Sequence, residues 1–359
     1  MIIFCALFVV IFLVGVLYQQ AGRRRDQQKF PAPGRLVEVD GNQFHLLEMG
    51  TAGPNVIFEA GIAASSVSWT LVQSRVAQFA RTYSYDRAGL GWSGPVRTPR
   101  TLRQSIAELR ALLKAGGVFG PYLLVGHSYG GLLMQAYAAA YPEEVSGLVL
   151  VDPVAVREWA QPSGDALRRL RRGVRLSRRG VWLTHIGVVR FALARLLSGN
   201  SSLPQRIAKM ASGGGANVAS RLVGEVGKLP RESWPVVQAH WCDPKCFVGM
   251  AAHLEQLPAS AASLGGLGPI PDVPVCVVSS GTSTNSERAE RAAVVSAVSF
   301  GEHIIAERSG HWIQLDEPEL VADACRRMLF VAQRDQGIDL GSTAGRQIAG
   351  DHGNSDHDP

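Results

Sequence analysis

Cysteine is scarce and scattered in this 359-residue chain, at Cys5, Cys242, Cys246, Cys276 and Cys325. Thiols so few and so placed imply no disulfide framework, which excludes the small cross-linked secreted scaffolds. Cys242 and Cys246 have His240 and His253 nearby, but the spacing fits no common zinc pattern; two neighbouring thiols in a partly buried helical segment are expected, with no metal and no cofactor. Charge is also sparse. Only 18% of residues are charged, and the net +6 is uneven, because seven arginines fall between Arg168 and Arg179. The basic balance therefore describes a local patch, and no nucleic-acid partner is expected. Against these shortages, 46% of the chain is hydrophobic, ample for one large domain or two ordinary ones.

Residues Met1 to Tyr18 carry no charge at all, and Arg23, Arg24 and Arg25 follow shortly after. The run is just long enough to cross a bilayer core as a helix. A cleaved secretory signal is the rival, but basic residues before the run and a small-x-small site after it are both missing. An uncleaved single-pass anchor over 1–18 is expected, and the arginines on its far flank place the remainder in the cytoplasm. A polar linker over 19–34, with Pro31 and Pro33 near its end, should join it to the rest.

The chain is organised around Tyr122 to Gly131. Leu123, Leu124 and Val125 lead as a strand into Gly126-His127-Ser128-Tyr129-Gly130, and Leu132 to Tyr141 reads as a helix. Strand, sharp turn and helix put a strained serine at an apex, with glycines on either side leaving room for the close approach. Ser128 is thus a candidate nucleophile, and the Tyr129 backbone N–H at the helix start points where an oxyanion would form. Upstream, Arg35 to Val39 and Phe44 to Glu48 flank Asp40-Gly41-Asn42 as a hairpin, and Asn55 to Glu59 reads as a buried parallel strand. Downstream, Ser146 to Val151 is another buried strand ending at Asp152, where an open parallel sheet collects its active groups.

These features resemble the α/β-hydrolase superfamily over about Arg35 to Ala332, and Asp86-Arg87-Ala88-Gly89-Leu90-Gly91-Trp92-Ser93 is similar to its D-R-x-G-x-G-x-S loop. The resemblance implies a mostly parallel eight-stranded sheet with helices on both faces and a helical lid after the sixth strand. The core would be split into 35–153 and 269–333 and the lid would occupy 154–268; the tail over 334–359, polar and rich in Gly and Asp, should be disordered by composition. The resemblance assigns the second oxyanion donor to the backbone of Ile62, although Ala60 stands where a histidine often precedes the glycine. It places the base at His311, just past the last strand. His127 faces the other side of the chain from the serine, and His45, His240, His253 and His303 read as ordinary strand or lid residues. Trp92 and Trp312 are candidates for lining the substrate site.

For the third member, the family most often uses the loop after the seventh strand, yet Ser280 to Ser286 contains no acid and Glu287 comes only as a helix begins. Asp152 is favoured, with Glu287 as the alternative; either keeps the order serine, acid, histidine. Serine in place of aspartate argues against the haloalkane dehalogenase and epoxide hydrolase branches. The expected activity is hydrolysis of an ester, less readily an amide or thioester, of a mostly apolar small-molecule or lipid-like substrate through an acyl-enzyme. An acyltransferase using the same residues and a non-catalytic binding or receptor module are the alternatives. The Arg168 to Arg179 run could equally be a solvated helix or lie on an anionic membrane.

Overall fold

The computed structural model describes residues 2–197 and 227–335. Its first element, α1 (Ile2–Lys29), is longer than the apolar run. Residues 19–29, expected as part of a linker, are helical because they include good helix formers and no proline, and the helix stops only before Pro31. It is the one described helix long and apolar enough to cross a membrane, and at an N-terminus a membrane anchor and a signal sequence share that character.

A hairpin follows, β1 (Arg35–Val39) and β2 (Asn42–Met49). Val39 pairs with Asn42, and the two turn residues, Asp40 and Gly41, have φ of 49° and 73°. Left-handed backbone at both positions matches the right-handed twist of the strands they join. Next come β3 (Asn55–Glu59), α2 (Thr70–Val76), β4 (Arg81–Tyr85), α3 (Leu102–Ala115), β5 (Tyr122–His127), α4 (Tyr129–Ala140) and β6 (Val145–Val151). An insertion separates β6 from the remaining strands. It contains α5 (Val156–Ala160), α6 (Gly164–His185), α7 (Val188–Leu197), α8 (Trp234–Trp241) and α9 (Pro244–Leu264). The chain then completes β7 (Val275–Ser280), α10 (Asn285–Val295), β8 (Gly301–Ala306), α11 (Ile313–Asp316) and α12 (Pro318–Asp335). The expected lid is helical where it is described, but its residues 198–226, like residues 336–359 of the tail, lie outside the described residues.

The eight strands form one sheet in the order β1-β2-β4-β3-β5-β6-β7-β8. Contacts β1–β2 and β2–β4 are antiparallel and every later one is parallel. The parallel strands are apolar on both faces because helices cover both. In β5, Leu124 packs with Leu109, Leu112 and Leu133 of α3 and α4, whereas Leu123 and Val125 pack with Val72 of α2 and Val321 and Met328 of α12. Thr101 caps α3 by accepting from Gln104 N (3.2 Å), and the helix turns Leu102, Ile106, Leu109 and Leu113 inward. Helices on both sides leave the carboxyl ends of β3 to β8 as the edge where loops can hold chemistry.

Candidate active site

The turn from β5 into α4 is forced by its glycines. A methyl group on Gly126 would lie 2.5 Å from Gly130 O, and one on Gly130 would lie 2.3 Å from Glu59 O. Strand and helix can therefore approach this closely only without side chains there. The serine between them is held at φ 55°, ψ −118°, backbone that a residue with a Cβ rarely adopts. Its N–H donates to Val151 O (3.0 Å), and its carbonyl accepts from Gly131 N (3.0 Å) and Val154 N (3.3 Å). Main-chain bonds thus fix Ser128 at the head of α4, while its Oγ has no hydrogen-bond partner among the described residues.

At the end of β6, Asp152 is also left-handed, with φ 41°. Its N–H is tied to Val278 O (2.7 Å) on the neighbouring strand, which turns the carboxylate along the sheet edge. Oδ2 lies 2.6 Å from His311 Nδ1. Oδ1 accepts from Arg291 Nη1 (2.8 Å), Ser280 N (3.0 Å) and Ser283 Oγ (3.2 Å). Burial alone would push this carboxyl up; the His311 bond, the Arg291 charge and the Ser280 N–H outweigh it and hold the group down at about 2. A carboxylate that stays ionised keeps the proton on Nδ1 of the imidazole and leaves Nε2 free to accept another. The His311 side chain is about half exposed.

His127, next to Ser128 in the chain, contacts His311. Its Nε2–H donates to the His311 carbonyl (2.8 Å), and the two rings are 4.7 Å apart. Because a carbonyl can only accept, the proton of His127 sits on Nε2. Burial, with the neighbouring His311, pushes the imidazole down to about 3, so it stays neutral.

The loop after β3 runs beside both His127 and Ser128: a methyl group on Gly61 would lie 3.1 Å from His127 Nδ1 and 3.4 Å from Ser128 Cβ. Arg87 holds that loop: its guanidinium donates to Ala60 O (2.6 Å) and Gly61 O (2.6 Å) and also pairs with buried Glu59. The Tyr129 N–H, at the first turn of α4, belongs to the orphan donors of a helix start. Beyond Ile62 opens a largely apolar cavity of about 60 Å³, with Val67, Leu90, Trp312 and Leu315 of the core and Leu229 and Val237 of the insertion among its walls. The structure thus places a serine at a strained turn, an imidazole bonded to an ionised carboxylate, and a cavity whose wall includes Ile62 and Trp312 but neither Ser128 nor His311.

Residues 56–324 match the family model described as Alpha/beta hydrolase family. The chain belongs to that family. Among its relatives are the uncharacterized protein YqjL of Bacillus subtilis, 40% identical over 120 residues (33% of this chain, 47% of that one), and Lipase LipV of Mycobacterium tuberculosis, 34% identical over 118 residues (33% and 44%). The chain spans about half the length of such curated relatives. Among solved structures, a thermophilic esterase from Thermogutta terrifontis is similar in fold, with TM-score 0.58 and 20% identity, covering 83% of this chain and 97% of that one.

Within this alpha/beta hydrolase, two expected placements change. Glu287 does not approach His311; it closes a capping box at the start of α10, accepting from Thr284 N (2.7 Å) and Oγ1 (2.9 Å). Its position three residues after a threonine at a helix start explains this. Trp92 is absent from the cavity wall where Trp312 is present. Its backbone is wound around Asp86 Oδ2 (3.0 Å), its indole N–H donates to Phe30 O (3.0 Å), and its ring packs edge-on against His240 (4.4 Å), facing a separate cleft beneath α1. The Cys242 and Cys246 thiols are buried and pushed up to about 12 by desolvation.

Sequence reading missed three supports of the site: Arg291, Arg87 and the His127–His311 contact. Arg87 lies inside the recognised loop motif and could have been singled out. Arg291 is one of several arginines around α10, 139 residues from Asp152, and carries no local signal.

Proposed function

We propose that this alpha/beta hydrolase is a membrane-anchored serine hydrolase that cleaves esters of mostly apolar molecules through an acyl-enzyme at Ser128. The observation that carries the reading is the 2.6 Å bond between Asp152 and the His311 Nδ1, beside a serine held in left-handed backbone. His311 Nε2 takes the Ser128 proton as Oγ attacks the carbonyl carbon, and Asp152 stabilises the imidazolium so formed. The oxyanion is met by the Tyr129 and Ile62 N–H groups. The protonated imidazole then returns its proton to the leaving alcohol, and the acyl-enzyme is hydrolysed by water in the same two steps.

The apolar cavity and the similarity to a lipase support an ester with a short apolar acyl or alkyl part. Exposed Ile3, Phe4, Phe8 and Leu17 on α1 support its insertion into a bilayer, and the arginines at 23–25 support a cytoplasmic site. The test is steady-state turnover of a panel of aryl and lipid-like esters by the full chain. Ser128→Ala should lower kcat on the order of 10⁶-fold if the three groups act as a unit. Turnover retained within tenfold would refute the mechanism.

A further inference from the structure

We propose that the corner between α6 and α7, from Trp182 to Phe191, lies in the anionic phospholipid interface of the same bilayer that α1 enters, giving the enzyme a second, non-spanning membrane contact. The proposal rests on reading α1 as a membrane helix.

Its basis is a direct contact between the two elements. A methyl group on Gly15 would lie 2.5 Å from Ile186 O, and one on Gly187 would lie 2.8 Å from Gly15 O. Backbone therefore touches backbone, with glycine on both sides. Just below, the helix is fastened to the insertion by polar bonds. Gln19, buried, donates to Cys242 O (2.6 Å) and accepts from Arg190 Nε (3.1 Å). Arg190 also pairs with Asp26 (2.7 Å), and Arg23 pairs with Asp243 (3.1 Å). With α1 held this firmly, the depth at which it enters the bilayer fixes the depth of the corner. Gln19 is the first polar residue after the apolar run, and Gly15 lies four residues before it. At a rise of 1.5 Å per residue the corner sits about 6 Å to the membrane side of Gln19. Interfacial helices lie about 5–10 Å into the headgroup and acyl boundary.

The side chains suit that depth. Trp182 is 75% exposed and Phe191 40% exposed, on the two sides of the glycine that touches α1. Exposed Arg178 and Arg179 stand one turn before Trp182, and the remaining arginines of the Arg168 to Arg179 run lie farther along the same helix, also exposed. Aromatic rings at the boundary with guanidinium groups behind them match an anionic headgroup layer.

Cys5 permits a test that separates the two claims, because it is exposed while the other four cysteines are buried. The full chain is reconstituted in phosphatidylcholine/phosphatidylglycerol vesicles with a polarity-sensitive maleimide on Cys5, and tryptophan emission is quenched by phospholipids brominated near the headgroup end of the acyl chain. The expected result is an apolar Cys5 signal together with lipid quenching that Trp182→Phe largely removes and that adding Phe191→Trp restores. Equal quenching in the wild type and Trp182→Phe, with Cys5 in lipid, would overturn the corner contact while leaving the anchor intact. An aqueous Cys5 signal would overturn the anchor and the corner with it. Quenching of Trp182 that is absent at high protein density in the vesicles and appears only on dilution of the protein would assign the corner to a second copy of the chain and also overturn the proposal.

Discussion

Arg291 donates to Asp152 Oδ1 at 2.8 Å while His311 occupies Oδ2 at 2.6 Å, so one buried carboxylate is shared by a permanent cation and an imidazole. Arg291 also holds Pro153 O (2.7 Å) and Ser283 Oγ (2.7 Å), which fixes the direction of the carboxylate. Arg291→Met should destabilise the protein by about 3–5 kcal/mol, the usual cost of breaking a buried pair. Its catalytic signature is separate. Without Arg291 the Asp152 carboxylate loses the contact that fixes its direction, so kcat should fall more than KM changes, and Arg291→Lys should restore kcat in part. Urea unfolding and steady-state kinetics check the two claims.

The same carboxyl sets an acid limit on stability. Its folded value of about 2 lies below an unfolded value near 3.9, so its pairing stabilises the fold above about pH 4 and is lost as the pH falls towards 2. Buried histidines act earlier. Burial pushes His127 down to about 3 and His240 down to about 4, while the unfolded chain binds those protons near 6.5. Each should remove up to about 1.4 kcal/mol per pH unit between about pH 6 and its folded value. His45 opposes them: although burial lowers it, the Asp86 bond raises it overall, so its contribution is present in acid and lost as the pH rises. Unfolding midpoints from pH 8 to pH 4 should fall clearly below pH 6; a flat series would contradict this balance.

Asp152 and Glu287 can be told apart by exchange. Asp152→Asn should lower kcat by roughly 10⁴-fold, as loss of the tautomer-fixing acid does in other triads. Glu287→Ala should leave kcat unchanged and cost about 1 kcal/mol or less through the lost cap. Steady-state rates and thermal unfolding of both variants are sufficient.

Gly126→Ala and Gly130→Ala test the turn itself. The added methyl groups meet backbone at 2.5 and 2.3 Å, and backbone cannot swing aside as a side chain can. Each substitution should cost about 3 kcal/mol or more, read by urea unfolding or by loss of soluble expression.

Much of this was legible in the sequence because it is local. Apolar runs before Ser128 and Asp152 marked buried parallel strands, the glycine spacing marked the turn, and each strand end put its polar residue on one edge. The elements fall within a few residues of those expected. What stayed hidden depends on tertiary approach. His127 seemed turned away from the chemistry, yet its Nε2–H reaches the His311 carbonyl. The polar residues after Tyr18 looked like a linker because nothing local reveals that Gln19 and Asp26 bond to a helix some 170 residues on. Trp92 looked like a wall of the substrate site, but the loop wound around Asp86 turns its ring towards His240 and the linker.

The most direct measurement of the central claim is covalent labelling of the full chain with a fluorophosphonate, followed by mapping of the modified residue. The expected result is stoichiometric modification at Ser128, abolished by Ser128→Ala and slowed on the order of 10³-fold or more by His311→Ala, which removes the base. Labelling that is absent in the wild type, or that proceeds equally well without the imidazole, would contradict the account.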